Sequence, residues 1–129
     1  MYFIPRLPQH LPEVHLVILS EQAQKLIAKQ RRRYIESMPD KREAICQCMA
    51  QVSNAVRSGK GNLCDTLFQQ VHRLAGSAGS YGFESLGEAA SVVDRYLIAN
   101  SSKVTDLPEL ESLLQNLLNE IDDIIQKSG

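Results

Sequence analysis

The last quarter of the chain constrains the fold most. Leu110, Leu113, Leu114, Leu117, Leu118, Ile121, Ile124 and Ile125 recur at spacings of three and four. That is the period of a helix with one broad apolar stripe. Thr105 or Asp106 is placed to cap it. Such a stripe needs other apolar faces to cover it. A coiled-coil seam is the alternative, but a run of about two heptads is short for one.

The rest of the chain supplies those faces. Ser20 can cap a first helix carrying Ala23, Leu26, Ile27 and Tyr34. Pro39-Asp40 marks a break, and Asp40 with Glu43 resembles a capping box. A second helix follows with Ile45, Cys48, Met49, Val52 and Val56, and Gly59 and Gly61 end it. Asn62 caps a third through Leu63, Leu67, Val71, Leu74 and Ala78, which Gly82 is placed to stop. A fourth runs from Glu84 through Leu86, Ala89, Ala90, Val93 and Leu97 to near Asn100. No segment shows the alternation of a sheet. The expected fold is all-α: an antiparallel four-helix bundle with an additional N-terminal helix, over residues 20–129. Residues 1–19 read as a leader interrupted by Pro5, Pro8 and Pro12.

Bulk properties narrow the function by exclusion. The 129 residues suit one domain, with 43% apolar and 22% charged residues. A net charge of −1 leaves no basic footprint for nucleic acid or anionic membrane. Arg31, Arg32 and Arg33 point in three directions on a helix and read as a solvated face. No apolar stretch reaches the roughly 18 residues of a membrane span. Cys46, Cys48 and Cys64 follow no metal or redox pattern, and Cys46 and Cys48 lie about 200° apart on a helix. A reducing cytoplasm is the expected compartment, with no metal site.

One histidine stands out. On a wheel of about 100° per residue, Leu63, Leu67, Val71, Leu74, Ala78 and Tyr81 share the core sector of the third helix. His72 lies at its solvent boundary, with Phe68 or Gln69 a turn before and Gly76 and Gly79 in the turns after. Each glycine in a helix costs about 0.5–1 kcal/mol relative to alanine. Gly76 and Gly79 therefore predict that something large approaches the imidazole. Close packing of a neighbouring helix is the competing explanation. No serine or cysteine pairs with His72 for hydrolytic catalysis, and no strand-borne glycine loop is present to cradle a nucleotide. The remaining solo chemistry for His72 is that of a nucleophile carrying a group supplied by another protein.

The stretch VHRLAGSAGSYGFESLGEAASVVD, Val71 to Asp94, resembles the signature of histidine-containing phosphotransfer (HPt) domains of two-component phosphorelays. That pattern, His-x-Leu-x-Gly, a second glycine ten residues after the histidine and a leucine a turn later, is met by His72, Leu74, Gly76, Gly82 and Leu86. The resemblance implies a phosphocarrier rather than an enzyme. His72 would accept a phosphoryl group from a receiver-domain aspartate and pass it to another receiver. The partners implied are receiver domains of response regulators and hybrid histidine kinases. The chain itself would be a monomer without a cofactor, and Mg²⁺ would sit only on the receiver. Phe68, Gln69, Arg73, Gly76 and Gly79 would form the docking surface and phosphoryl environment.

Two positions depart from the family's habit. Many members carry lysine three residues after the histidine, where this chain has Ala75; the resemblance then implies that Arg73 substitutes or that the receiver supplies the charge. The polar residue that often orients the imidazole is matched by Asp94, whose carboxylate could accept from Nδ1–H and leave Nε2 as the nucleophile. The plainer alternative for Asp94 is an ordinary exposed acid. Two other functions share the pattern: the substrate-histidine domain of a chemotaxis-type kinase, and a non-phosphorylated helical adaptor that binds receivers or kinases.

Overall fold

The computed structural model describes residues 13–59, 65–100 and 106–128, with side chains from residue 20 onward. Five α-helices follow in order: α1 (Glu13–Glu36), α2 (Met38–Arg57), α3 (Asp65–Ser77), α4 (Glu84–Ala99) and α5 (Leu107–Ser128). A 3₁₀ turn over Ala78–Tyr81 extends α3, and no strand occurs among the described residues. The chain divides into two compact units, residues 1–33 and 34–129.

Within the second unit α2 to α5 form a four-helix bundle. Each helix packs on its successor, and α5 closes the ring against α2. The α5 stripe forms the spine: Leu110, Leu114, Leu117, Leu118, Ile121 and Ile124 are buried, with Leu113 and Ile125 at its margins. Against it lie Ile45, Cys48 and Val52 of α2, Leu67, Val71 and Leu74 of α3, and Leu86, Ala90, Val93 and Leu97 of α4. Burying a leucine or isoleucine contributes about 1.5–3 kcal/mol, so this shared interior fixes how the helices meet.

Several boundaries differ from expectation. α1 begins at Glu13, so Ser20 lies inside the helix instead of capping it. Residues 13–19 contain neither proline nor glycine, and nothing local stops the helix there. Ala23, Leu26 and Ile27 do not form a buried stripe: Leu26 is 55% and Ile27 52% exposed. The three arginines are exposed, as expected of a solvated face.

The break between α1 and α2 narrows to one residue, Ser37, whose backbone stays in the right-handed region. Pro39 falls in the first turn of α2, where no intrahelical N–H is needed, and Asp40 follows inside that turn rather than capping it. Gly59 has φ +82 and ends α2; Gly61, Asn62, Leu63 and Cys64 lie outside the described residues. On α5 the cap is Asp106, whose side chain accepts from the Glu109 N–H at 3.0 Å; Thr105 lies outside the described residues.

Gly82 stops the α3 segment at the expected position. Its φ of +86 is left-handed, the Gly82 N–H donates to Gly79 O and the Phe83 N–H to Ala78 O. This pair of bonds satisfies the last carbonyls and turns the chain into α4.

Candidate functional site

α3 is amphipathic in three directions. Leu67, Val71, Leu74 and Ala78 point into the bundle and leave two flanks, one toward α4 and one toward α2. His72 stands on the α4 side with its side chain 64% exposed. One turn earlier Phe68 stacks on the imidazole, ring centroids 5.5 Å apart and planes 19° from parallel. From α4, the Asp94 carboxylate lies 3.2 and 3.3 Å from Nδ1. Asp94 is only 14% exposed, so it is no ordinary surface acid. In the tautomer whose Nδ1–H donates to it, Nε2 carries the free lone pair. Nε2 has no hydrogen-bond partner among the described residues.

The surroundings on this flank are small. Gly76 and Gly79 are exposed, and a Cβ built on either meets nothing within 4 Å. Close helix packing therefore does not explain these two glycines. Gly87 of α4 is the glycine at a real contact, since its Cβ would touch Ala78 and the Gly79 backbone at 3.6 Å. Gly79 sits in the 3₁₀ turn, so its bearing differs from that of a continuous α-helix. A groove runs along this flank, lined by Ala75, Gly79, Gly87, Ser91, Val92 and Arg95, with Glu84 and Glu88 toward its far end. Gln69 is exposed one turn before His72.

The other flank is filled. Tyr34 stacks on Tyr81 at 4.3 Å and hydrogen-bonds Ser77 through its hydroxyl at 2.8 Å. The Ser77 hydroxyl also donates to Arg73 O at 2.7 Å. Lys41 donates to the Ser37 hydroxyl at 2.9 Å and lies 5.4 Å from the centre of the Tyr34 ring. Burial raises the Tyr34 phenol above its ordinary value. Burial, and then the Arg73 charge, lower the Lys41 ammonium. Arg73 thus faces Lys41, in a cavity shared with Tyr34, Gln70 and Ser77. It is turned away from the groove that holds Ala75.

The structure brings His72, Phe68 and Asp94 together, leaves Gln69, Gly76 and Gly79 open beside them, and sets Arg73 on the opposite flank. Val92, Arg95 and Ile98 of α4 escaped sequence reasoning; Val92 and Ile98 are exposed apolar residues. Their signal was available, because both fall off the stripe that buries Leu86, Ala90, Val93 and Leu97. Among the described residues no three His, Cys, Asp or Glu side chains are grouped to hold a metal ion. No helix among them is long and apolar enough to cross a membrane.

The Hpt domain family matches residues 29–126, well over half of the chain. Neither the curated proteins nor the solved structures returned a match. The match takes in the whole of α2, α3 and α4, His72 and the groove beside it. The chain belongs to the Hpt domain family, the helical phosphocarriers that take part in two-component phosphotransfer with receiver domains.

Proposed function

We propose that His72 is the phosphoryl-carrying residue, accepting from a receiver-domain aspartate and donating to a second receiver. The observation that carries this reading is the Nδ1–Asp94 contact at 3.2 Å on an imidazole that is 64% exposed. It supports one tautomer, with the proton on Nδ1 and the lone pair on Nε2. Nε2 attacks the phosphorus of the receiver's aspartyl phosphate. The bond from phosphorus to the carboxyl oxygen breaks, and the carboxylate departs with the electron pair. The ring becomes an N-phosphorylated imidazolium, and Asp94 stabilises the charge that appears on it. No proton has to move.

In this reading Mg²⁺ resides on the receiver, while the protein orients one ring and keeps its surroundings clear. Phe68, stacked on that ring and partly exposed, gives the docking partner apolar area beside it. Gln69 lies at the rim, and Gly76 and Gly79 admit the receiver's acidic pocket.

His72→Gln is expected to fold normally yet take up no acid-labile phosphate from a phosphorylated receiver; equal labelling of mutant and wild type refutes the reading. Asp94→Ala is expected to load slowly and to show a mixture of imidazole tautomers in its ¹⁵N spectrum. An unaltered tautomer together with an unchanged rate removes Asp94 from the site.

A further inference from the structure

The phosphoryl group on His72 brings roughly −1.5 to −2 charges at neutral pH, if its second ionisation resembles that of phosphorylated side chains. The nearest charged group described is Asp94, which is also negative. A cation within reach would hold that group, and Ala75 supplies none. Two arginines flank the site. Arg73 is one residue along α3, a turn of about 100° from His72. Its guanidinium faces Lys41 in the cavity lined by Tyr34, Gln70 and Ser77. Its charge is felt there, since it helps to lower the Lys41 ammonium.

Arg95 is placed differently. The Asp94–His72 contact marks the register of α4 against α3. Arg95 is the next residue along, so it lies at the level of the imidazole. It lines the same groove as Ala75 and Gly79, three and seven residues beyond His72. It is exposed and makes no salt bridge among the described residues. Glu88 shares that groove but lies seven residues back along α4, roughly 10 Å away along the axis. At Ala75, which lines that groove together with Arg95, the chain carries only a methyl group.

We propose that Arg95, reaching from α4 across Ala75, is the cation that binds the phosphoryl group carried on His72. This rests on His72 being the carrier. It makes Arg95 a phosphoryl-binding residue and Arg73 part of the α2 flank. A charged hydrogen bond of this kind is worth about 1.5–3 kcal/mol, which corresponds to roughly 10- to 100-fold in rate if it is formed in the transition state.

The test uses the intact protein and potassium phosphoramidate, a donor that needs no docking surface. Nε2 attacks phosphorus, the P–N bond breaks and ammonia leaves. Arg95→Ala is expected to load at least roughly tenfold more slowly than wild type. The second ionisation of its loaded phosphoryl group, followed by ³¹P NMR, should move to higher pH, because removing a cation disfavours the dianion. Ala75→Lys placed in the Arg95→Ala protein should restore much of the rate, and Arg73→Ala should load like wild type. Loading by Arg95→Ala within twofold of wild type, with an unmoved ³¹P titration, overturns the assignment. So does a loss that follows Arg73 instead. A wild-type protein that takes up no phosphoryl group overturns the carrier reading and the role of Arg95 with it. A wild type that loads normally while Arg95→Ala matches it overturns the role of Arg95 alone.

Discussion

The two flanks of α3 are built from one thirteen-residue helix and serve opposite ends. Toward α2, Arg73 and Ser77 enter a continuous web: Tyr34 on Tyr81, Tyr34 to Ser77, Lys41 over the Tyr34 ring. Toward α4, His72 makes two side-chain contacts, and beyond it the helix carries Ala75, Gly76 and Gly79 with open space around the glycines. The first flank holds the fold. The second gives up helix propensity of about 1–2 kcal/mol at its two glycines and holds only the orientation of one ring. Stability and accessibility are therefore separated by about a third of a helix turn, and each flank should respond to substitution in one readout and not the other.

The largest expected effect breaks the open flank. Gly76→Leu puts a branched side chain one turn beyond the imidazole, in space where even a Cβ meets nothing within 4 Å. The fold should tolerate it, since leucine is a better helix former than glycine by several tenths of a kcal/mol. Phosphotransfer to a receiver should be nearly abolished while the melting temperature holds or rises. Gly79→Ala is the milder version. It should stabilise by about 0.4–1 kcal/mol through reduced unfolded-state entropy and slow transfer measurably. Full transfer rate in both variants would mean that nothing approaches this flank.

Much of this contrast was legible in the residues, and the rest was hidden for definable reasons. The α5 stripe, the span of α4 and the stop at Gly82 follow from local periodicity and from one left-handed position, which a sequence displays directly. The wheel placed His72 at the edge of solvent, where it is. The flank of Arg73 was legible too, because one residue along a helix turns about 100°. Adjacency in sequence had suggested a shared site instead. The Asp94 contact depends on the register of α4 against α3, which tertiary packing sets; only the family resemblance pointed to it. Pro39 marks a break in the sequence because proline is barred from a helix interior, yet the first turn accepts it, and the join is Ser37 alone. Leu26 and Ile27 looked like core, but apolar spacing alone does not say whether a helix face has anything to cover it.

A smaller effect sharpens the filled flank. Tyr34→Phe keeps the ring stacked on Tyr81 and removes the hydroxyl that meets Ser77. The loss should be about 0.5–1.5 kcal/mol, toward the lower end, because the Ser77 hydroxyl retains Arg73 O. Phosphotransfer should not change. The Tyr34 phenol is held above its ordinary value of 10.0, chiefly by burial. Its contribution is therefore complete below that value and fades as pH rises through the folded value. Chemical denaturation at neutral and alkaline pH should show wild type losing ground to Tyr34→Phe only in alkali. A transfer defect in Tyr34→Phe would join the two flanks functionally and dissolve the contrast between them.

The smallest effect lies on neither flank and calibrates both. Arg42 of α2 grips Asp122 of α5 through two bonds, the second from Nη2 to Oδ2 at 3.1 Å. That grip lowers the Asp122 carboxyl below its ordinary 3.8 and raises the Arg42 guanidinium. Both side chains are 37% exposed, so solvent screens the pair and its contribution is modest. A depressed folded value gives stability that is present above the unfolded value and lost as pH falls through the folded one. Asp122→Asn should thus unfold at slightly lower denaturant than wild type near pH 7, and the gap should close in acid as the wild-type carboxyl takes its proton. Loading and transfer at His72 should match wild type throughout. A gap that persists unchanged into strong acid would show that Asp122 contributes through packing rather than charge. A transfer defect would mean that the α2–α5 seam sets the position of α3, because the pair has no route to the imidazole except through the bundle itself.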